Sequence, residues 1–225
     1  MRSESGSNLP LDVLRAELNP AHGKAGVEYL YDYSQEGDRR WANLTSYLEF
    51  MQSIQPDTLL IGEAPGYRGT SVTGVPFLSE GMIKHRAEND LVLPLTNYAQ
   101  SAHYLSESGY EATSKIMWEV LDSSPIGKLP LLWAVFPNHP HVLGDVKTNR
   151  KPTKKEIALY GGVLALLLET YPIKQIVAIG NVAHATIATN TDFPIIKLRH
   201  PARGGANKFR DGFKAFLETT YGNGV

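Results

Sequence analysis

Leu59-Leu60-Ile61-Gly62-Glu63-Ala64-Pro65-Gly66-Tyr67-Arg68-Gly69 joins an apolar run to a glycine-rich turn with a carboxylate at its mouth. A short apolar run bounded by turn residues reads as a buried strand, here Thr58–Ile61. The loop that follows, Gly62–Gly74, is long enough to carry function. In an open α/β sheet, ligands bind beyond the carboxyl ends of the strands, where Glu63 falls. Gly62, Gly66 and Gly69 let a ligand approach the backbone, and Pro65 stiffens the turn. The same residues also fit a tight strand–helix connection with a solvated glutamate. No Gly-Lys-Ser/Thr follows and no GxGxxG is present, which argues against a nucleotide P-loop and a dinucleotide fold.

A second apolar run, Ile195–Leu198, ends in Arg199-His200-Pro201-Ala202-Arg203-Gly204-Gly205. Pro201 forces the chain out of the sheet. A histidine at such a strand end can donate Nε2–H to a developing oxyanion. Arg203, Gly204, Gly205, Asn207, Lys208 and Arg210 offer cations and free backbone N–H groups that suit phosphates. The competing reading is a charged, exposed loop before the last helix.

Between these loops the chain alternates strand and helix patterns. Helical spacing covers Pro10–Asn19 and Arg39–Ile54, and recurs in Phe77–Asp90 and Ala112–Leu121. Leu131–Phe136 and Gln175–Ile179 read as further strands. Thr153 stands three residues before Glu156, the form of a capping box, and opens a helix to Thr170. Asn181–Ala188 and Ala206–Tyr221 complete the helices. Residues 20–37 and 137–152 read as loops, and residues 1–10 as a loose tail. Strands alternating with helices predict an α/β fold with a parallel sheet covered on both faces, in one domain spanning residues 1–225.

Composition narrows the function. With 42% hydrophobic and 20% charged residues, 225 residues suit one globular domain with a sizeable core. The chain has no cysteine. That excludes disulfides, thiolate catalysis and a cysteine-held iron–sulfur cluster, and points to a reducing, cytoplasmic compartment. Met1–Pro10 has no apolar signal-peptide core, and Gly162–Leu168 is too short to span a bilayer, so no membrane partner is expected. A net charge of −1 gives no global support for nucleic-acid binding, so local charge must carry that case. Lys147, Arg150, Lys151, Lys154 and Lys155 form one basic cluster, either a solvated face or a phosphate-steering patch.

Other residues admit two readings each. Phe77 offers a flat face for a planar base, or is an ordinary core phenylalanine. Tyr67 walls a base pocket or covers the loop. Glu80 is a second candidate acid beside Glu63. His139 and His141 lack a third ligand of recognisable spacing, so no metal site is expected.

Taken together, the motifs resemble the uracil-DNA glycosylase superfamily. The matching segments, in order, are Gly62–Gly69 (GEAPGYRG), Thr73–Glu80 (TGVPFLSE), Trp133–His141, Asn149–Thr153, Ile176–Gly180 and Arg199–Gly205. The resemblance spans residues 39–217. It implies a three-layer α/β/α sandwich around a four-stranded parallel sheet. It also implies a monofunctional DNA-repair glycosylase, a monomer acting on damaged single- or double-stranded DNA with no cofactor. The target base must leave the stack before its glycosidic bond is reached. On this resemblance Phe77 stacks on the flipped base, and Ala64, Tyr67, Asn138 and the Ala134 position surround it. His200 stabilises negative charge on the pyrimidine O2. Glu63, or Glu80 in its place, orients water or stabilises the positive sugar. Gly66, Arg68, Arg203, Gly204, Gly205 and Lys208 hold the DNA, with Arg203 in the wedge loop. A relative that binds nucleic acid or nucleobases without cleaving is the alternative.

The sequence departs from the family pattern at three places. Ala134 stands where Trp-Asn-Ala-Phe-Pro relatives have the asparagine that reads the uracil edge. Ala202 replaces the serine of His-Pro-Ser. The cysteines of the iron–sulfur members are missing.

Overall fold

The computed structural model describes residues 9–20, 23–91, 93–95, 109, 111–124 and 128–222. Most of the tail expected at residues 1–10 therefore lies outside the described residues. In chain order the elements are α1 (Leu11–Leu18), β1 (Val27–Glu28), α2 (Gln35–Ile54), β2 (Thr58–Gly62), α3 (Thr70–Thr73), α4 (Glu80–Glu88) and α5 (Ala112–Leu121). They continue with β3 (Leu131–Ala134), β4 (His139–Pro140), α6 (Lys154–Ala158), α7 (Gly161–Thr170), β5 (Gln175–Ile179), α8 (Gly180–Ile187), β6 (Ile195–Leu198) and α9 (Ala206–Tyr221).

The four long apolar strands form one parallel sheet in the order β3-β2-β5-β6. β2 is buried along its whole length, as a central strand covered on both faces must be. Side chains alternate across the sheet. Gly62, Ala134, Ile179 and Leu198 share one row at the carboxyl end. Ile61 and Trp133 lie one residue back and face the other way. Helix α8 covers β2, β5 and β6, and α9 packs against β6 and α5. Gly212 of α9 approaches Leu198 so closely that a Cβ would lie 3.0 Å from Leu198 Cδ2. The result is the expected three-layer α/β/α sandwich with all four strands of the sheet pointing the same way, so the loops after β2, β3, β5 and β6 gather at one edge.

Several boundaries differ from the sequence reading. Helix α2 starts four residues earlier than expected because Ser34 caps it, accepting from Gly37 N (3.1 Å). Helix α4 starts at Glu80 rather than Phe77, since Phe77 adopts φ 56°, a left-handed conformation that no helix continues. The loops at residues 20–37 and 137–152 contribute β1 and β4, which pair antiparallel. The expected strand Leu131–Phe136 ends at Ala134, where its neighbour β2 also ends. Val135 and Phe136 still donate to the carbonyls of Gly62 (2.9 Å) and Glu63 (3.1 Å), which ties the first turn of the Gly62 loop to β3.

The helix expected across Thr153–Thr170 is interrupted at Leu159–Tyr160. Tyr160 is held through its hydroxyl by Asn138 (2.9 Å), and Gly161-Gly162 is a weak helix former. Gly162 also admits α1: a Cβ there would lie 2.6 Å from Glu17 Oε2.

Before that break, the capping box forms as expected. Thr153 Oγ1 accepts from Glu156 N, and Glu156 Oε2 accepts from Thr153 N (2.7 Å). Arg150 grips the same carboxylate with two bonds of 2.7 and 3.0 Å while donating to the carbonyls of Gly26 and His141. This bidentate grip drives the Glu156 carboxyl down to about 2. A depressed carboxyl pKa stabilises the fold above the unfolded value of 4.5, and that contribution fades as pH falls toward about 2. Urea midpoints of Glu156→Gln should therefore lie below wild type at neutral pH and converge with it by about pH 2. Equal midpoints at neutral pH would contradict the assignment.

Candidate functional site

Phe77 is the centre of the strand-end edge. Its ring lies against the backbone of Gly62: a Cβ at that glycine would meet Phe77 Cζ at 2.5 Å. Only glycine tolerates so close an approach. The left-handed backbone of Phe77 costs on the order of 1–3 kcal/mol and persists only where its surroundings hold it. Two hydrogen bonds do so. Phe77 N donates to Thr70 Oγ1 (3.1 Å), and Trp118 Nε1 donates to Phe77 O (3.1 Å).

The ring forms one wall of a pocket shared with Tyr31, Ala64, Pro65, Thr70, Trp133 and Ala134. Ala134 sits directly beside Gly62 in the sheet register, on the side that faces Phe77. The lining is flat and apolar, and where an asparagine would offer an amide it has a methyl group.

Glu63, half-buried, directly precedes Ala64 of the pocket wall, and neither it nor His200 lines the pocket. Burial raises its carboxyl above the ordinary value of 4.5, and the positive charges of Lys151 and Arg203 partly offset that. His200 sits at the end of β6. Burial, then the charges of Arg199 and Arg203, hold its imidazole below 6.5, so it is neutral at pH 7. The tautomer is also fixed: Ala202 N donates to His200 Nδ1 (3.0 Å), which leaves the proton on Nε2. Arg203 thus acts on both groups, bringing the Glu63 and His200 loops into one electrostatic neighbourhood.

The His200 turn is shaped by backbone sterics. Arg203 and Gly204 are both left-handed, at φ 53° and 73°. A Cβ at Gly205 would collide with the His200 carbonyl, so the turn closes only with glycine there. Arg203, Gly204 and Lys208 are exposed at the rim, while Gly205 is buried beneath it. On the other loop, Tyr67 N donates to Asn149 Oδ1 (3.0 Å), Arg68 stacks on the Tyr67 ring at 5.1 Å, and Gly66 lies beside Asn149. Tyr67 does not line the pocket.

Two expected site residues are placed elsewhere. Asn138 is fully buried and turned inward. Its Oδ1 accepts from Leu30 N (2.8 Å), and its Nδ2 donates to Leu18 O (2.8 Å) and Tyr160 Oη (2.9 Å). Every polar atom of the side chain is in use, so it offers nothing to a base. Glu80 is fully buried at the start of α4 and does not line the pocket. Of the histidine pair, His139 bridges Glu28 and the Thr148 carbonyl, and His141 bonds the Val142 carbonyl.

Sequence reasoning missed Tyr31 and Thr70. Tyr31 is buried, with its hydroxyl donating to Gly74 O (2.8 Å), and it comes from a segment with no periodic pattern. Thr70 opens a four-residue helix inside what reads as loop.

The fold has counterparts among known proteins. Residues 49–220 match the Uracil DNA glycosylase superfamily, and the chain belongs to that superfamily. Among solved structures it is similar to wild-type SMUG2 of Pedobacter heparinus, with 14% identity, a TM-score of 0.62, and 93% of this chain and 95% of that chain covered. At that identity the likeness shows the fold. No curated protein sequence matches the chain.

The inward role of Asn138 has a direct consequence. Asn138→Ala leaves two donors' partners and one acceptor's partner buried without bonds, each worth about 1–3 kcal/mol. Chemical denaturation should show a loss of about 3 kcal/mol or more. A variant as stable as wild type would mean that the side chain is free to serve the pocket.

Proposed function

We propose that the protein is a DNA-repair glycosylase that takes a flipped, damaged base into the Phe77 pocket and hydrolyses its N-glycosidic bond. The observation that carries this reading is the pocket itself: a strained aromatic ring held over Gly62, beside the methyl of Ala134, with Glu63 directly preceding the Ala64 wall. Stacking of a planar base on an aromatic ring contributes about 1–3 kcal/mol per base.

In the reaction the bond between C1′ and the base nitrogen breaks, and its electron pair stays with the base. Negative charge grows on the base oxygen, where the Nε2–H of neutral His200 donates. A neutral imidazole suits this role because it lends a hydrogen bond without needing to transfer its proton. The sugar becomes cation-like, and the Glu63 carboxylate stabilises it and orients water. The water oxygen bonds to C1′, and its released proton leaves through Glu63 or solvent. Arg203, Lys208 and the glycines of the His200 turn hold the phosphates, and Arg68 contacts DNA from the opposite loop.

Ala134 favours a second reading. A pocket built without the amide that reads a uracil edge discriminates poorly. A non-cleaving relative that binds nucleobases or DNA would show the same wall.

Oligonucleotides bearing uracil, hypoxanthine or xanthine, single- and double-stranded, followed by alkaline cleavage, separate these readings. Release of one base supports excision. Salt-sensitive DNA binding with no release from any lesion supports the binding reading. His200→Ala and Glu63→Gln should each lower the rate by about a hundredfold or more while leaving the melting temperature near wild type. The pH profile follows from the two groups. Glu63 must be ionised and His200 neutral, so the rate should climb through the acid range and level off by neutrality. A rate that falls between pH 5 and 7 would contradict both assignments.

A further inference from the structure

The walls of the Phe77 pocket hold few polar side-chain groups. Ala64, Pro65, Pro76, Ala134 and Pro137 bring side chains of carbon alone. Tyr31 lines the pocket too, but its hydroxyl donates to Gly74 O (2.8 Å). Trp133 belongs to the row that faces the other side of the sheet.

Thr70 is different. It is the first residue of α3, only 8% exposed, and it lines the pocket. Its Oγ1 accepts from Phe77 N (3.1 Å), which sets the hydroxyl beside the backbone that carries the stacking ring. That bond occupies one lone pair and leaves the O–H to be given. Among the described residues no acceptor takes this proton. A buried O–H without an acceptor costs free energy, so the pocket favours an occupant that supplies one.

The chemistry of a pyrimidine narrows which atom that is. N1 is bound to the sugar, and in the excision reading O2 accepts from His200. In uracil O4 and N3–H remain, and O4 is the acceptor. An amino group in place of O4, as in cytosine, brings only donors and leaves the Thr70 proton unpaired. A site that holds such a group unpaired rejects the wrong base more strongly than one that merely fits its shape.

We infer that Thr70 reads the base, its Oγ1–H donating to the exocyclic oxygen at C4 and so favouring a 4-oxo pyrimidine over its 4-amino parent. This rests on the excision reading and adds a specificity-determining residue to it. The hydroxyl supplies, from the Gly62 loop, a polar contact that the Ala134 methyl cannot make. One oxygen then holds the Phe77 backbone and reads the base stacked on its ring, which ties recognition to stacking.

The test is a cycle of variants and bases. Thr70→Val keeps the side-chain shape and removes the hydroxyl, and Thr70→Ser keeps the hydroxyl. Single-stranded oligonucleotides carry uracil or 4-thiouracil, whose sulfur leaves N3–H in place and is a weaker acceptor than oxygen. Single-turnover release rates and dissociation constants are measured for each pair, with folding checked by melting temperature. Thr70→Val should lower uracil release about tenfold or more while changing 4-thiouracil release far less. Thr70→Ser should release both bases as wild type does. Thr70→Val also strips Phe77 N of its acceptor, so a residue that only supports the ring would lower both rates by the same factor. That equal loss, or uracil release unchanged in Thr70→Val, would overturn the inference and leave excision standing. If wild type releases neither base, the excision reading falls, and the dissociation constants decide this one. A loss of affinity in Thr70→Val confined to uracil supports the assignment, and an equal loss on both bases, or none, overturns it.

Discussion

The strand-end site depends on one steric fact: the ring of Phe77 occupies the space that a side chain at residue 62 would need. Gly62 is therefore a structural requirement of the pocket as well as the end of a strand. Its neighbour in the sheet, Ala134, also lines the pocket, so the register of β2 against β3 sets which side chain stands beside the ring. Thr70 and Trp118 hold the strained backbone of Phe77 from two other elements, which makes the pocket a product of packing across the fold rather than of one loop.

Electrostatics complete the site. Glu63 and His200 are buried enough for their charged forms to be disfavoured, so one moves up and the other down. Arg203 works with burial on His200 and against it on Glu63. The net effect is an imidazole held below its ordinary value and a carboxyl raised above its own, with Arg203 beside both. The hydrogen bond from Ala202 N to His200 Nδ1 adds the correct tautomer, supplied by the backbone of the Pro201 turn.

Much of this was legible in the sequence because its causes are local. The buried strands are apolar runs ending in glycine or proline, and the capping box at Thr153 and Glu156 lies within four residues. Glu63, Phe77 and His200 stand in short ordered motifs. What escaped has nonlocal causes. Asn138 serves Leu18, Leu30 and Tyr160, partners far away in the chain, and nothing in its own motif marks it as an interior residue. Tyr31 reaches the pocket from a segment without periodicity. The break at Tyr160 reflects that same Asn138 bond and the close approach of α1 to Gly162. Propensity alone does not see tertiary contacts of this kind.

The most direct measurement is the structure of the Glu63→Gln protein bound to an oligonucleotide carrying a uracil. The account predicts the base out of the helical stack and stacked on Phe77 at about 3.5–4.0 Å. Its O2 should lie about 2.9 Å from His200 Nε2, and its opposite edge should face Ala134. A base left in the stack, or one bound away from Phe77 with His200 turned to another partner, would contradict it.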